Sequence, residues 1–140
     1  MQEGIAIARE LGSPVYLAHL LSCLGETSYR LGDLATARAY LIESMQLTAA
    51  NELFAHLAIA VFHYASLLIA ESEVKPAEAM PKRAQAAELL TLVQTHPATW
   101  QMYKTRAAQR LTNVTTTPPI ILQEKRTIRE VAAEILQGRH

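Results

Sequence analysis

The sequence predicts an all-α protein built from antiparallel helix pairs, and three observations carry that expectation. Apolar residues recur in successive segments at i, i+3, i+4 and i+7, the spacing that lines one face of a helix. Half of the 140 residues are apolar, yet only two Phe and one Trp are present while Ala and Leu abound. That mix suits close helix–helix contact better than a β core, which wants β-branched and aromatic residues. Third, part of the chain is repeated: Leu21, Leu24, Gly25, Ser28, Gly32, Asp33, Leu34 and Ala37 are matched 40 residues later by Val61, Tyr64, Ala65, Leu68, Ser72, Glu73, Val74 and Ala77. Self-similarity at such a period is the mark of a solenoid, in which each helix pair buries its apolar face on the next.

The elements follow in order. Ile5, Ala8 and Leu11 have helical spacing, and Gly12-Ser13-Pro14 stops that helix and starts another; residues 1–12 read as the remaining helix of a preceding repeat. A second helix is expected from Val15 to Leu31, with Ser13 as N-cap and Pro14 at its first position. Gly25 lies inside it and costs about 1 kcal/mol relative to alanine, so it implies the close approach of a neighbouring helix backbone. Gly32-Asp33 supplies a residue that tolerates a left-handed backbone followed by a cap, and a third helix then runs to Thr48 with Ala37, Leu41 and Met45 on one face. Asn51-Glu52 is expected to break the chain and cap a fourth helix, Leu53 to Ser72. Glu78-Ala79-Met80-Pro81 reads as an insertion ahead of a fifth helix, Lys82 to Thr95, with Ala86, Leu89, Leu90 and Val93 inward. His96-Pro97 ends it. A sixth helix, Ala98 to Leu111, would turn Trp100, Tyr103, Ala107 and Leu111 inward, with Trp100 anchoring an end cap. Two prolines make Thr115 to Pro119 an extended linker. In the last helix, Gln123 to Gln137, Ile128, Val131, Ala132, Ile135 and Leu136 form an apolar stripe that must be covered by this chain or by a second copy. The expected organisation is therefore repeats over 1–112 (13–50 and a divergent 51–95, then a cap helix 96–112), a linker at 113–122 and a C-terminal amphipathic helix at 123–140.

Composition excludes several functions. Thirteen basic residues balance thirteen acidic ones, and Lys82-Arg83 and Lys125-Arg126 are isolated pairs, so no basic stripe for nucleic acid is present. Cys23 is the only cysteine, which rules out an intrachain disulfide and a cysteine metal cluster and fits a reducing cytoplasm. The N-terminus has no signal-peptide pattern. The most apolar stretch, Leu53 to Ala70, is interrupted by His56, His63, Tyr64 and Ser66, as in a buried helix rather than a membrane span.

With those residues in view, the chain resembles the tetratricopeptide repeat region at the C-terminus of large bacterial signalling ATPases and transcription regulators. The resemblance is carried by Leu24-Gly25-Glu26, Leu31-Gly32-Asp33 and Ala37-Arg38, by Ala6-Ile7-Ala8-Arg9-Glu10-Leu11-Gly12 ahead of them, and by Ala87-Glu88-Leu89-Leu90 running on to His96-Pro97-Ala98-Thr99-Trp100. It implies a right-handed α-α superhelix with a capping helix, cytoplasmic, non-catalytic and without cofactor, binding a protein or peptide partner. Ser72-Glu73 departs from the repeat where Gly-Asp is expected.

In such repeats the first helix of each pair lines a concave groove. If Gly25 holds the usual small-residue position, His19, Ser22, Glu26 and Tyr29 face that groove, and the 40-residue register adds Ile59, Phe62, Ser66 and Ile69. A 37-residue register aligns Ala18-His19-Leu20 with Ala55-His56-Leu57 and puts His56 and His63 there instead. A mixed polar and apolar surface suits an extended or helical peptide; the competing expectation is that neighbouring helices cover it, and a third is homodimerisation through the C-terminal helix. No catalytic or metal-binding set is expected. Glu52, His56 and His63 share a helix face but lack known ligand spacings, Cys23 should be buried and inert, and solvation at a helix end accounts for Glu71 and Glu73.

Overall fold

A computed structural model describes residues 2–114 and 127–138. Among the described residues the protein is all-helical: α1 Gln2–Leu11, α2 Pro14–Arg30, α3 Leu34–Ala50, α4 Phe54–Val74, α5 Ala79–Thr95, α6 Gln101–Val114 and α7 Ile128–Leu136, with a 3₁₀ turn at Pro76–Glu78. The expected linker at Thr115 to Pro119 and the expected start of the last helix at Gln123 lie outside those residues.

Local chemistry sets the boundaries. Ser13 caps α2 by accepting from the Tyr16 N–H at 3.2 Å, Asp33 caps α3 by accepting from the Thr36 N–H at 3.2 Å, and Thr127 caps α7 by accepting from the Glu130 N–H at 3.1 Å. One turn design closes both α2 and α3. The Asp33 N–H donates to the Ser28 carbonyl at 2.9 Å around Gly32, and the Leu53 N–H donates to the Thr48 carbonyl at 2.9 Å around Glu52. Gly32 has φ +88°, which glycine adopts freely, whereas Glu52 takes φ +53° without that freedom. Asn51-Glu52 thus ends α3 and does not cap α4: the Asn51 side-chain amide donates back to the Leu47 carbonyl at 2.8 Å, and Leu53 is the N-cap residue of α4. At Ser72-Glu73 no left-handed turn forms, and α4 runs on to Val74 before the 3₁₀ turn reverses the chain.

Successive helices alternate in direction, as their contacts show. Ser22 of α2 bonds Ser44 of α3, while Gly25, further along α2, meets Leu41, further back on α3. The helices fall into two rows. Helices α2, α4 and α6 lie side by side in one, α3 and α5 form the other, and α1 rests on α2 with Arg9 paired to Glu43 of α3 at 2.6 Å. A small core of Ile5, Ala8, Leu17, Leu21 and Leu24 joins α1 to α2, and a larger continuous core spans α3 to α7. The centre is α4, in which every residue from Leu57 to Leu68 is buried. It is long and apolar enough to cross a membrane, but its apolar length is covered mostly by neighbouring helices. Its buried polar groups are satisfied, as burial demands: Tyr64 accepts from Arg38 at 2.6 Å, Ser66 donates to the Phe62 carbonyl at 3.1 Å and His63 meets Tyr29 at 3.0 Å. Arg38 and Lys82 both pair with Glu71, so this carboxylate is a half-buried tie between α3, α4 and α5 rather than a solvated helix end.

Helix α7 lies across α3 and α5 on the side away from α2 and α6. Ile128, Val131, Ala132 and Ile135 are buried in the main core, and Arg129 reaches Glu52 at 3.4 Å. The apolar stripe is therefore covered by this chain itself.

Gly25 shows why a small residue is needed in α2, and the close neighbour is a side chain of α3 rather than the expected helix backbone. A Cβ at this position would stand 2.6 Å from Leu41 Cδ2 and 2.7 Å from Leu41 Cγ, and Leu41 is fully buried. Alanine would gain about 1 kcal/mol in helix propensity but would overpack at a typical cost of about 1–3 kcal/mol. The branch carbon of Leu41 moves only if χ1 changes, which its full burial resists, so Gly25→Ala should lower the unfolding free energy measured in urea by a net ~1 kcal/mol, and the loss should shrink in a Leu41→Ala background. A raised midpoint would show that the two helices are further apart than described.

Candidate functional site

The exposed side of the α2, α4 and α6 row collects nearly all the chemistry the sequence offers, and it does so in tiers. At one end His19 of α2, His56 of α4 and Trp100 of α6 are neighbours: the His56 and Trp100 rings meet edge-on at 5.4 Å, and burial followed by the nearby His19 pulls the His56 pKa down. The next tier holds Cys23, whose Sγ lies 3.7 Å from His19 Nε2, with Tyr103 across the row. The third holds Glu26, His63 and Arg106; Arg106 bridges to Glu26 Oε2 at 3.4 Å over the top of α4. The last holds Tyr29 and Arg30, Ser66 and Arg110. His19 to His56, Glu26 to His63 and Tyr29 to Ser66 are each 37 residues apart, so the facing register is 37. The helix caps, Ser13 and Leu53, keep the 40-residue offset of the repeat. Both spacings are real because α4 is displaced along its axis by about one turn against α2.

The residues expected in the groove are thus divided. His19, Glu26 and Tyr29 reach the surface of the row, with His19 exposed and the other two half-buried. Ser22 does not: it is buried against α3, where its hydroxyl and that of Ser44 are 3.0 Å apart. Ile59, Phe62 and Ser66 are buried. Phe62 forms the floor, with the Arg106 guanidinium 4.9 Å and the Arg110 guanidinium 5.1 Å from its ring centroid and Tyr103 edge-on at 5.5 Å. Trp100 is 50% exposed and does not anchor a core. It sits in the turn before α6, where Thr99 N–H donates to the His96 carbonyl at 3.1 Å, so the sixth helix begins at Gln101 rather than Ala98. Cys23 is exposed instead of buried. Partial burial, then the Glu26 charge, raises its thiol pKa, which keeps it protonated and a poor nucleophile.

The sequence reading missed Arg30, Arg106 and Arg110. A signal for two of them was present: Trp100, Tyr103, Arg106 and Arg110 follow one another at three- and four-residue steps, a second helix stripe beside the apolar one.

His63 is the electrostatic centre of the tiers. Its Nδ1 lies 4.0 Å from Glu26 Oε2, a distance at which a protonated ring would form an ion pair. Burial dominates, and Arg106, Arg110 and Arg30 oppose the pull of Glu26, so its pKa falls to about 4. The ring is neutral at pH 7, and Tyr29 Oη can donate to Nδ1. The sign of the pH dependence follows. Above pH 6.5 both folded and unfolded states are neutral at this site; between pH 6.5 and about 4 only the unfolded state takes up the proton, so stability falls as pH falls. The loss should approach on the order of 3 kcal/mol. Urea midpoints between pH 7 and 4.5 should drop steeply in the parent and less in His63→Gln. Equal slopes would mean that His63 is solvated.

No family model matches this chain, and neither a curated protein nor a solved structure matches it. What the geometry defines is a class: an all-helical protein of paired helices with one helix row closed by α7's side of the molecule and the other presenting aromatic and charged side chains. Among the described residues no group of three or more His, Cys, Asp or Glu side chains is placed to hold a metal.

Proposed function

We propose that this chain is a non-catalytic protein-interaction module of the tetratricopeptide type, a right-handed α-α superhelix whose α2, α4 and α6 row receives a protein or peptide partner. The observation that carries the reading is Trp100, half exposed at the end of a tiered surface in which Glu26, His63, Tyr103 and Arg106 are held in place by contacts between helices. A large aromatic side chain left open beside charged groups is the composition of binding hot spots, and a surface fixed in advance lowers the ordering cost of association. The resemblance to regulator arrays is what supports a place in a larger cytoplasmic signalling or transcription regulator, a reading that the size of the native polypeptide on an immunoblot checks directly.

Photo-crosslinking in cells tests the reading. A crosslinker at position 19, on the row, should capture a partner that a crosslinker at position 133, exposed on α7, does not. Trp100→Ala should weaken that capture without moving the melting temperature. Identical products from both positions, or none from position 19, would remove the proposed face. Self-association is the second reading, and it rests on Ile7, Leu11, Val15 and Tyr16, four exposed large apolar side chains in α1 and the first turn of α2. Sedimentation would reveal a dimer that Leu11→Glu dissociates; a monomer at high concentration would end that reading.

A further inference from the structure

The α2, α4 and α6 row carries three guanidinium groups and one carboxylate, Glu26, which pairs with two of them, although the whole chain has thirteen basic and thirteen acidic residues. Glu26 Oε2 accepts from Arg30 at 3.2 Å and from Arg106 at 3.4 Å. Arg110 has no carboxylate within ion-pair range among the described residues; its guanidinium rests on the ring of Phe62. Arg106 is held over both Phe62 and Tyr103, at 4.9 and 5.3 Å. An arginine held over an aromatic ring keeps its planar fork of donors ordered, so little further freedom is lost when a carboxylate binds it. Ten residues back along the same helix direction, roughly 15 Å at the helical rise, Trp100 offers an apolar surface. An extended peptide covers that distance in about five residues.

We infer that the occupant of the interaction face proposed above is an acidic segment of a partner protein. Its Asp or Glu side chains meet Arg30, Arg106 and Arg110, and an apolar or aromatic side chain about five residues away rests on Trp100. Charge complementarity selects an acidic segment over a neutral or basic one. Basic and acidic residues balance over the chain and the three arginines stand beside Glu26 rather than along a basic stripe, which selects a peptide over a nucleic acid.

Trp100 is the only tryptophan, so its emission reports occupancy directly. The full chain is titrated at low salt with three end-capped seven-residue peptides, alike except that the two residues opposite a terminal leucine are Glu, Gln or Lys, and with a single-stranded oligothymidylate. The Glu peptide should give a saturable change at least about tenfold tighter than the Gln peptide, and salt should weaken it. Arg110→Glu should weaken it by about tenfold or more and Arg110→Lys by less, with the melting temperature close to the parent's; Arg30→Glu, on the exposed end of α2, serves if Arg110→Glu unfolds. A Gln or Lys peptide that binds as tightly overturns the acidic occupant and leaves the interaction face standing. Tighter binding of the oligothymidylate overturns it in favour of phosphate. Silence from every ligand overturns it as well, and crosslinking from position 19 then decides the face by itself.

Discussion

Phe62→Ala should lower the unfolding free energy by about 3–5 kcal/mol, the usual cost of emptying a buried phenylalanine site. Phe62 is fully buried and is the point at which α4 supports α6: Tyr103 packs edge-on against it, and Arg106 and Arg110 rest on its face. Each arginine contact adds about 0.5–1 kcal/mol, so the loss should sit in the upper part of that range and would take a large share of the roughly 5–15 kcal/mol that holds a domain of this size together. Phe62→Leu, which keeps most of the volume, should cost less than half as much. Chemical denaturation measures both. A loss below about 1 kcal/mol for Phe62→Ala would mean that α6 does not lean on this ring.

The second large effect is expected at α7. Val131 is fully buried where α7 lies across α3 and α5. An aspartate there would be a buried charge without a partner, which costs several kcal/mol and more than a nine-residue helix can retain. Val131→Asp should therefore undock α7 and expose the stripe of Ile128 and Ile135 along with the surface beneath it. The readouts are a fall in melting temperature, dye binding to exposed apolar surface and early proteolysis near the C-terminus. Ala133→Asp, on the exposed side of the same helix, should change none of them. An unaltered protease pattern in Val131→Asp would show that α7 is not docked. If the parent is a dimer and Val131→Asp turns it into a folded monomer, the terminal helix mediates association after all.

Much of the fold was legible because its signals are local. Ser13-Pro14 and Gly32-Asp33 mark helix starts through hydrogen bonds within four residues, and they do so whatever the rest of the chain is doing. The stripe Ile128, Val131, Ala132 and Ile135 is equally explicit, since the period of the helix fixes which residues share a face. Trp100 misled because composition gives size and polarity but not depth, and the turn at His96 to Thr99 leaves this ring at the rim. Glu71 misled for the opposite reason: its partners Arg38 and Lys82 stand 33 and 11 residues away, and no local rule brings them to it.

The sequence by itself determined that this protein is helical, where most of its helices begin and end, and which face of each is apolar. Those properties depend on backbone geometry and on contacts three or four residues apart. Only the tertiary structure decided what each face meets. It turned Ser22 toward α3, placed the α7 stripe over α3 and α5, and slid α4 along α2 so that His56 and His63, in the 37-residue register, face His19 and Glu26. It also brought Arg30 and Arg106 to one carboxylate, Glu26, and set Arg110 over Phe62. Side-by-side helices settle at the axial offset that best fills the space between them. That offset is a property of two packed surfaces together, and neither surface states it alone.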